Sequence, residues 1–213
     1  IHARHHVIIP GFIQTHVHFV QTLFRGLADD LTLLDWLKKR VWPLEQALER
    51  EDVYVSSVLS ILELFLSGTT SVIDFGSVKH QEEIFRAMRE MGIRGKSGKI
   101  MMDYDEGSGR VGLIEPTDVC IGESESLIKG VYGDPLVGYM LTPRFALTSS
   151  EELLLRTKDL AERYGLGIQT HASENRNEVE LVKNRTGMGN IEFLHNLGIL
   201  DESAVIAHGI WLN

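Results

Sequence analysis

The chain has 213 residues, 43% of them hydrophobic and 24% charged, which suits one sizeable domain with a real core. That composition excludes disorder, collagen-like repeats and coiled coil as the main theme. Lys plus Arg number 21 against 30 Asp plus Glu, a net charge of −9, so the chain is not built to coat a nucleic-acid backbone. A small ligand stays open, because the field that matters to it is local. The lone Cys120 cannot form an internal disulfide, which fits a reducing compartment. No apolar run reaches the ~18 residues of a membrane span, and no segment resembles a signal peptide. A cytoplasmic protein with no membrane partner is expected. The chain does not begin with Met, and Trp211, Leu212 and Asn213 form no tail, so both ends read as cut.

Short apolar runs alternate with longer helical patterns. Residues 7–15 read as a buried strand interrupted by a Pro-Gly turn. Residues 33–49 and 52–66 read as helices, with Pro43 breaking or kinking the first. A strand is expected at 70–75, a helix at 80–91 and a short strand at 98–102. A helix at 118–129 precedes a strand at 136–141. Ser150 caps a helix running to Tyr164, with Leu153 where a capping box has Glu. Residues 167–171 form a strand, 178–185 and 191–197 helices, and 204–208 the last strand. Six apolar strands between helices predict a parallel α/β sheet covered on both faces. A doubly wound open sheet can use six; a (β/α)8 barrel needs eight and ~250 residues. The glycine signatures of dinucleotide and P-loop sites are missing.

Four of the nine histidines end strands. His16 and His18 flank Val17, and residues two apart in a strand point to the same side. His171 closes the fifth strand and His208 the sixth. Carboxyl strand ends form the active face of parallel α/β folds, so these side chains point to a metal site; imidazole suits Zn²⁺, with Fe²⁺ as the alternative. His2, His5 and His6 lie in a polar lead-in and read as a tag scar or exposed loop. His80 opens a helix and His195 sits inside one; both read as structural. Glu174, three residues after His171, is placed to move a proton between activated water and a substrate. Arg144 and Phe145 follow the fourth strand. They suit recognition of a polar ring edge, and equally an arginine cap beside a packed aromatic.

Pro10-Gly-Phe-Ile-Gln-Thr-His-Val-His18 resembles the opening barrel strand of the amidohydrolase superfamily. So do Gly68-Thr-Thr-Ser-Val72, Gly98-Lys-Ile-Met-Met-Asp103, Thr142-Pro-Arg-Phe145, Thr170-His-Ala-Ser-Glu-Asn175 and Ala207-His208, in that order along the whole chain. The branch it resembles holds guanine deaminases, adenosylhomocysteine and 5′-deoxyadenosine deaminases, and triazine hydrolases. The resemblance implies an incomplete (β/α)8 TIM-type barrel, strands 1 to 6, as one partial domain over residues 1–213. Strands 7 and 8 and the family's small β-sandwich are expected to be absent. It implies one divalent metal held by His16, His18 and His171, with Glu174 relaying protons. His208 polarises the attacked position or orients the water, and Gln21, Arg144 and Phe145 contact the ring. The family's fourth ligand, an Asp from strand 8, has no counterpart; neither Asp74 nor Asp201 matches it. The expected activity is hydrolytic deamination of an amino-substituted heterocycle, most of all an aminopurine nucleoside. Guanine as substrate, a triazine with another leaving group, and an inactive fragment or subunit are the alternatives. The expected partner is that small heterocycle, with a homo-oligomer left open.

Overall fold

The computed structural model describes residues 5–105 and 112–212; His2 lies outside them. Six parallel strands stand side by side in sequence order. β1 (Phe12–Val17) pairs with β2 (Thr69–Asp74), and β2 with β3 (Arg94–Ser97). β3 continues after a two-residue break as β4 (Ile100–Met101). The fourth strand is likewise split, into β5 (Val137–Tyr139) and β6 (Thr142–Pro143), which pair with β3 and β4. Bridges Leu141–Ile168 and Phe145–His171 join it to β7 (Gln169–Ala172), which pairs with β8 (Val205–His208). A doubly wound sheet reverses its strand order at a switch point. This one never reverses, so it is singly wound, with the curvature of six strands of a (β/α)8 barrel. Among the described residues β1 and β8 each keep one unpaired edge.

The first and third strands differ from the sequence expectation, and backbone chemistry explains both. Val7, Ile8 and Ile9 stay outside the sheet, Val7 at 87% exposure. Pro10 has no N–H to donate to a ladder, and the first bond to the β2 side runs from the Phe12 N–H to the Gly68 carbonyl. The third strand begins at Arg94, not at 98. Arg94-Gly-Lys-Ser97 carries no apolar run, so periodicity misses it; its place between β2 and β5 is set by backbone pairing. Gly98 falls in the break because a Cβ there would lie 1.8 Å from the Met140 carbonyl oxygen.

The helices follow from stripe and cap. α1 (Leu33–Trp36) passes through a π-helical segment, Leu37–Val41, into α2 (Trp42–Ala47). Trp42 N–H bonds five residues back, to Leu37, so the extra residue absorbs Pro43 at the start of α2. α3 (Arg50–Leu66) and α4 (Gln81–Met91) follow β1 and β2. α5 (Thr117–Val131) buries Cys120, Ser124 and Ile128, four residues apart. Ser150 caps α6 (Glu151–Tyr164) by accepting from Leu153 N–H, and Gly165 ends it at φ 63°. α7 (Arg176–Thr186) and α8 (Asn190–Asn196) lie between β7 and β8. No helix among the described residues is long and apolar enough to cross a membrane.

The close approach at Gly98 makes a stability prediction. Gly98→Ala forces the third and fourth strands apart and destabilises by about 3 kcal/mol or more, read by denaturant unfolding. Unchanged stability contradicts that contact.

Candidate active site

The strand ends converge because all six strands run the same way. His16 lies in β1, where the register slips by one residue between Gln14 and Val17; His18 lies just past the strand, still extended. His171 comes from β7 and His208 from β8. The ring of His16 lies 5.0 Å from those of His18 and His171 and 5.3 Å from that of His208. Phe75, fully buried, packs 3.9 Å from the His171 ring and 4.9 Å from that of His18, as a floor to the cluster. A cavity of about 100 Å³ is lined by all eight residues singled out above: His16, His18, Gln21, Arg144, Phe145, His171, Glu174 and His208. A wider cavity of about 640 Å³ shares His16, His18 and Gln21 but lacks His171, Glu174 and His208, so it is not where the chemistry gathers.

Burial is the main cause that lowers every one of these imidazole pKa values. His16 falls to about 4, helped by His208; His18 and His171 fall well below the usual value, and His208 is lowered too. All four are therefore neutral at pH 7, the form that ligates a metal. The ligand nitrogens of His16, His18 and His171 lie within 4.8 Å of one another. His18 Nε2 faces His171 Nε2 at 3.1 Å, close to the ~3.3 Å between two nitrogens each ~2.05 Å from a tetrahedral zinc. His171 Nδ1 lies 3.0 Å from the Arg144 carbonyl oxygen, which can only accept. The proton is therefore on Nδ1, and the lone pair of Nε2 points at the cluster. His18 Nδ1 is buried with no hydrogen-bond partner, so hydrogen bonding alone does not satisfy this ring. Donor type, protonation state and spacing all fit a divalent metal such as zinc. His5 and His6 are exposed, as is His195; His80 is the left-handed N-cap of α4, and none of them joins the cluster.

One carboxylate lines the cavity, and a second lies behind two of its lining residues. Glu174 Oε2 lies 3.3 Å from His208 Nε2. Burial, and second the Glu178 carboxylate, raise Glu174 to about 7. Glu45, which the sequence does not single out, is buried behind Gln21 and Arg144. It accepts from Arg144 at 2.6 and 3.3 Å and from Gln21 Nε2 at 2.9 Å. Arg144 is thus an ion-paired wall residue, not a free cation, and Phe145 is the packed aromatic beside it. No spacing signal links Glu45 to Arg144, 99 residues apart. Leu33, Trp36 and Leu37 complete the lining.

The two aspartates weighed as a fourth ligand lie elsewhere. Asp201 accepts from Ser203 at the surface. Asp74 is fully buried at the end of β2; Oδ1 accepts the Phe19 N–H at 2.9 Å and Oδ2 the Ser97 hydroxyl at 2.5 Å. Asp74 thereby fixes the backbone next to His18. His208 and Ser173 hold positive φ, 74° and 57°, so strained backbone sits on both loops that frame Glu174.

A match to the amidohydrolase family spans residues 7–213. A 5′-deoxyadenosine deaminase of Methanothrix thermoacetophila is 39% identical over 212 residues, covering 100% of this chain and 48% of that protein. A 5-methylthioadenosine/S-adenosylhomocysteine deaminase of Pyrococcus furiosus is 35% identical, covering 100% and 49%. The guanine deaminase of C. acetobutylicum, solved with guanine in its active site, superposes with a TM-score of 0.88 at 29% identity, covering 95% of this chain and 49% of that one. The chain spans about half the length of the relatives it matches.

Desolvation pushes Asp74 up to about 6 from 3.8, so the folded state binds its proton more tightly than the unfolded state. The stability this proton confers is complete below about pH 4 and is lost as pH rises through about 6, some 3 kcal/mol in all. In the difference between Asp74→Asn and wild type across pH 4–7, that slope should appear; a flat difference contradicts it.

Proposed function

The chain belongs to the amidohydrolase family, and from that premise we propose that it carries the catalytic half of a metal-dependent deaminase acting on an aminopurine nucleoside. One observation carries the reading: three neutral imidazoles with ligand nitrogens within 4.8 Å of one another lie in the same cavity as Glu174 and His208. His16, His18 and His171 would hold the metal. Bound there, zinc would lower the pKa of water to about 7 and so supply a nucleophile at neutral pH.

The chain's own groups do the rest. Glu174, raised to about 7, is poised both to accept a proton from the attacking water and to donate one to the leaving amine. His208, neutral and 3.3 Å from Glu174, orients that carboxyl and faces the carbon under attack. Phe145 and Trp36 offer apolar contact to a flat ring, while Gln21 and Arg144, both held by Glu45, present polar atoms to its edge. Names of the relatives favour adenine nucleosides; the guanine-bound neighbour keeps guanine on the list of substrates to test.

The test is metal content by elemental analysis together with ammonia release from 5′-deoxyadenosine, S-adenosylhomocysteine and guanine. It is run on this chain and on one extended to the relatives' length. Stoichiometric zinc or iron with ammonia release is expected from the extended chain; neither metal nor ammonia from either sinks the reading. Glu174→Gln should keep its metal and lose about 10²- to 10⁴-fold in turnover. Because the ionised carboxylate accepts the proton, kcat/KM in wild type should rise with pH through about 7. A profile flat from pH 6 to 8 contradicts that role.

A further inference from the structure

The segment between β7 and α7 carries Glu174, and a second carboxylate gathers its backbone. Glu178 is buried to 1% exposure. Its Oε2 accepts the N–H of Glu174 at 2.8 Å and of Asn175 at 3.3 Å; its Oε1 accepts the N–H of Ser173 at 3.2 Å and the Asn190 side-chain amide. An ordinary capping box explains only the bond to Asn175, the N-cap of α7. The bonds to Ser173 and Glu174 lie upstream of the helix, where capping asks for nothing. They stabilise a turn in which Ser173, a residue with a Cβ, holds φ 57°.

That turn also carries the next strand's loop. The Ser173 carbonyl accepts the N–H groups of Ile210 and Trp211, both at 2.9 Å, and the Ala172 carbonyl accepts that of Gly209 at 3.0 Å. Residues 209–211 directly follow His208. One buried carboxylate therefore holds the backbone of Glu174 and, through Ser173, the backbone beside His208.

We propose, on the basis of the deaminase reading above, that Glu178 is the positioning residue of this site: it fixes Glu174 against His208 through the N–H groups of Ser173, Glu174 and Asn175, and does not touch the substrate. The negative charge it places beside Glu174 also favours the protonated form of that group. A helix cap without this function would contribute stability alone.

Two measurements on zinc-loaded full-length protein decide it. The first is a double-mutant cycle on ammonia release. Glu178→Gln replaces one of the two acceptor oxygens with an NH2 that faces N–H groups. It should lower kcat by about 10- to 100-fold with KM and zinc content within about twofold, since His171 is held separately by Arg144. In a Glu174→Gln background the same change should cost less than about twofold. An equal cost in both backgrounds overturns the proposal. The second is amide hydrogen exchange, which needs neither turnover nor a folded variant. Amides 173–175 of the wild type should be protected like those of β7, and exchange at the rate of an exposed loop overturns the proposal. If the wild-type protein releases no ammonia, the deaminase reading fails and the catalytic role of Glu178 with it; the exchange pattern then still reports whether Glu178 holds the loop.

Discussion

Four imidazoles whose neighbouring rings lie 5.0–5.4 Å apart cannot all be charged. At the carboxyl ends of β1, β7 and β8 they lose hydration, and His16, His18 and His171 would also repel their neighbours as cations, so each is held neutral. Everything nearby serves to keep uncharged donors aimed at one point. Asp74 ties down the residue after His18, the Arg144 carbonyl fixes the tautomer of His171, and Phe75 closes the space below. Packed apolar rings would be the cheaper filling for such a place, and the polar arrangement with its strained φ at His208 is what a binding site costs a fold.

Much of this was legible in the sequence, for identifiable reasons. The His16–His18 pair shows because strand period two is local. His171 and His208 show because parallel strands must put like ends together. Glu174 shows by its three-residue offset from His171. Strand count alone did not separate a barrel from a doubly wound sheet, since both accept six strands; the unreversed pairing order separates them. β3 is not legible at 94–97 because Arg94-Gly-Lys-Ser97 is polar, and backbone pairing with β2 and β5 overrides its weak strand character. Val7, Ile8 and Ile9 have the composition of a strand yet stay exposed outside the sheet, since apolarity does not by itself mean burial. Glu45 was invisible, since its contact to Arg144 spans 99 residues and has no period to betray it.

The charge balance of the whole chain hides a different balance inside. Most ion pairs are at the surface, such as Arg25–Glu63 and Arg156–Asp118, where such pairs contribute little. Arg144–Glu45 is buried on both sides. A pair of that kind is poor support for stability, because desolvation opposes the attraction, yet losing either partner strands a charge in the interior. Its contribution is geometric: Glu45 bonds both Gln21 and the guanidinium, two residues that line the cavity.

Arg144 has two jobs on separate atoms. Its carbonyl accepts from the His171 backbone, the His171 ring and the Thr170 hydroxyl, while its side chain faces Glu45. Any residue at this position supplies the carbonyl. A lineage can therefore replace the Arg144 and Glu45 side chains together, reshaping what the cavity accepts, while the backbone that orients His171 passes unchanged through every intermediate. A fold wired in this way can change its substrate repertoire without first dismantling its reactive centre.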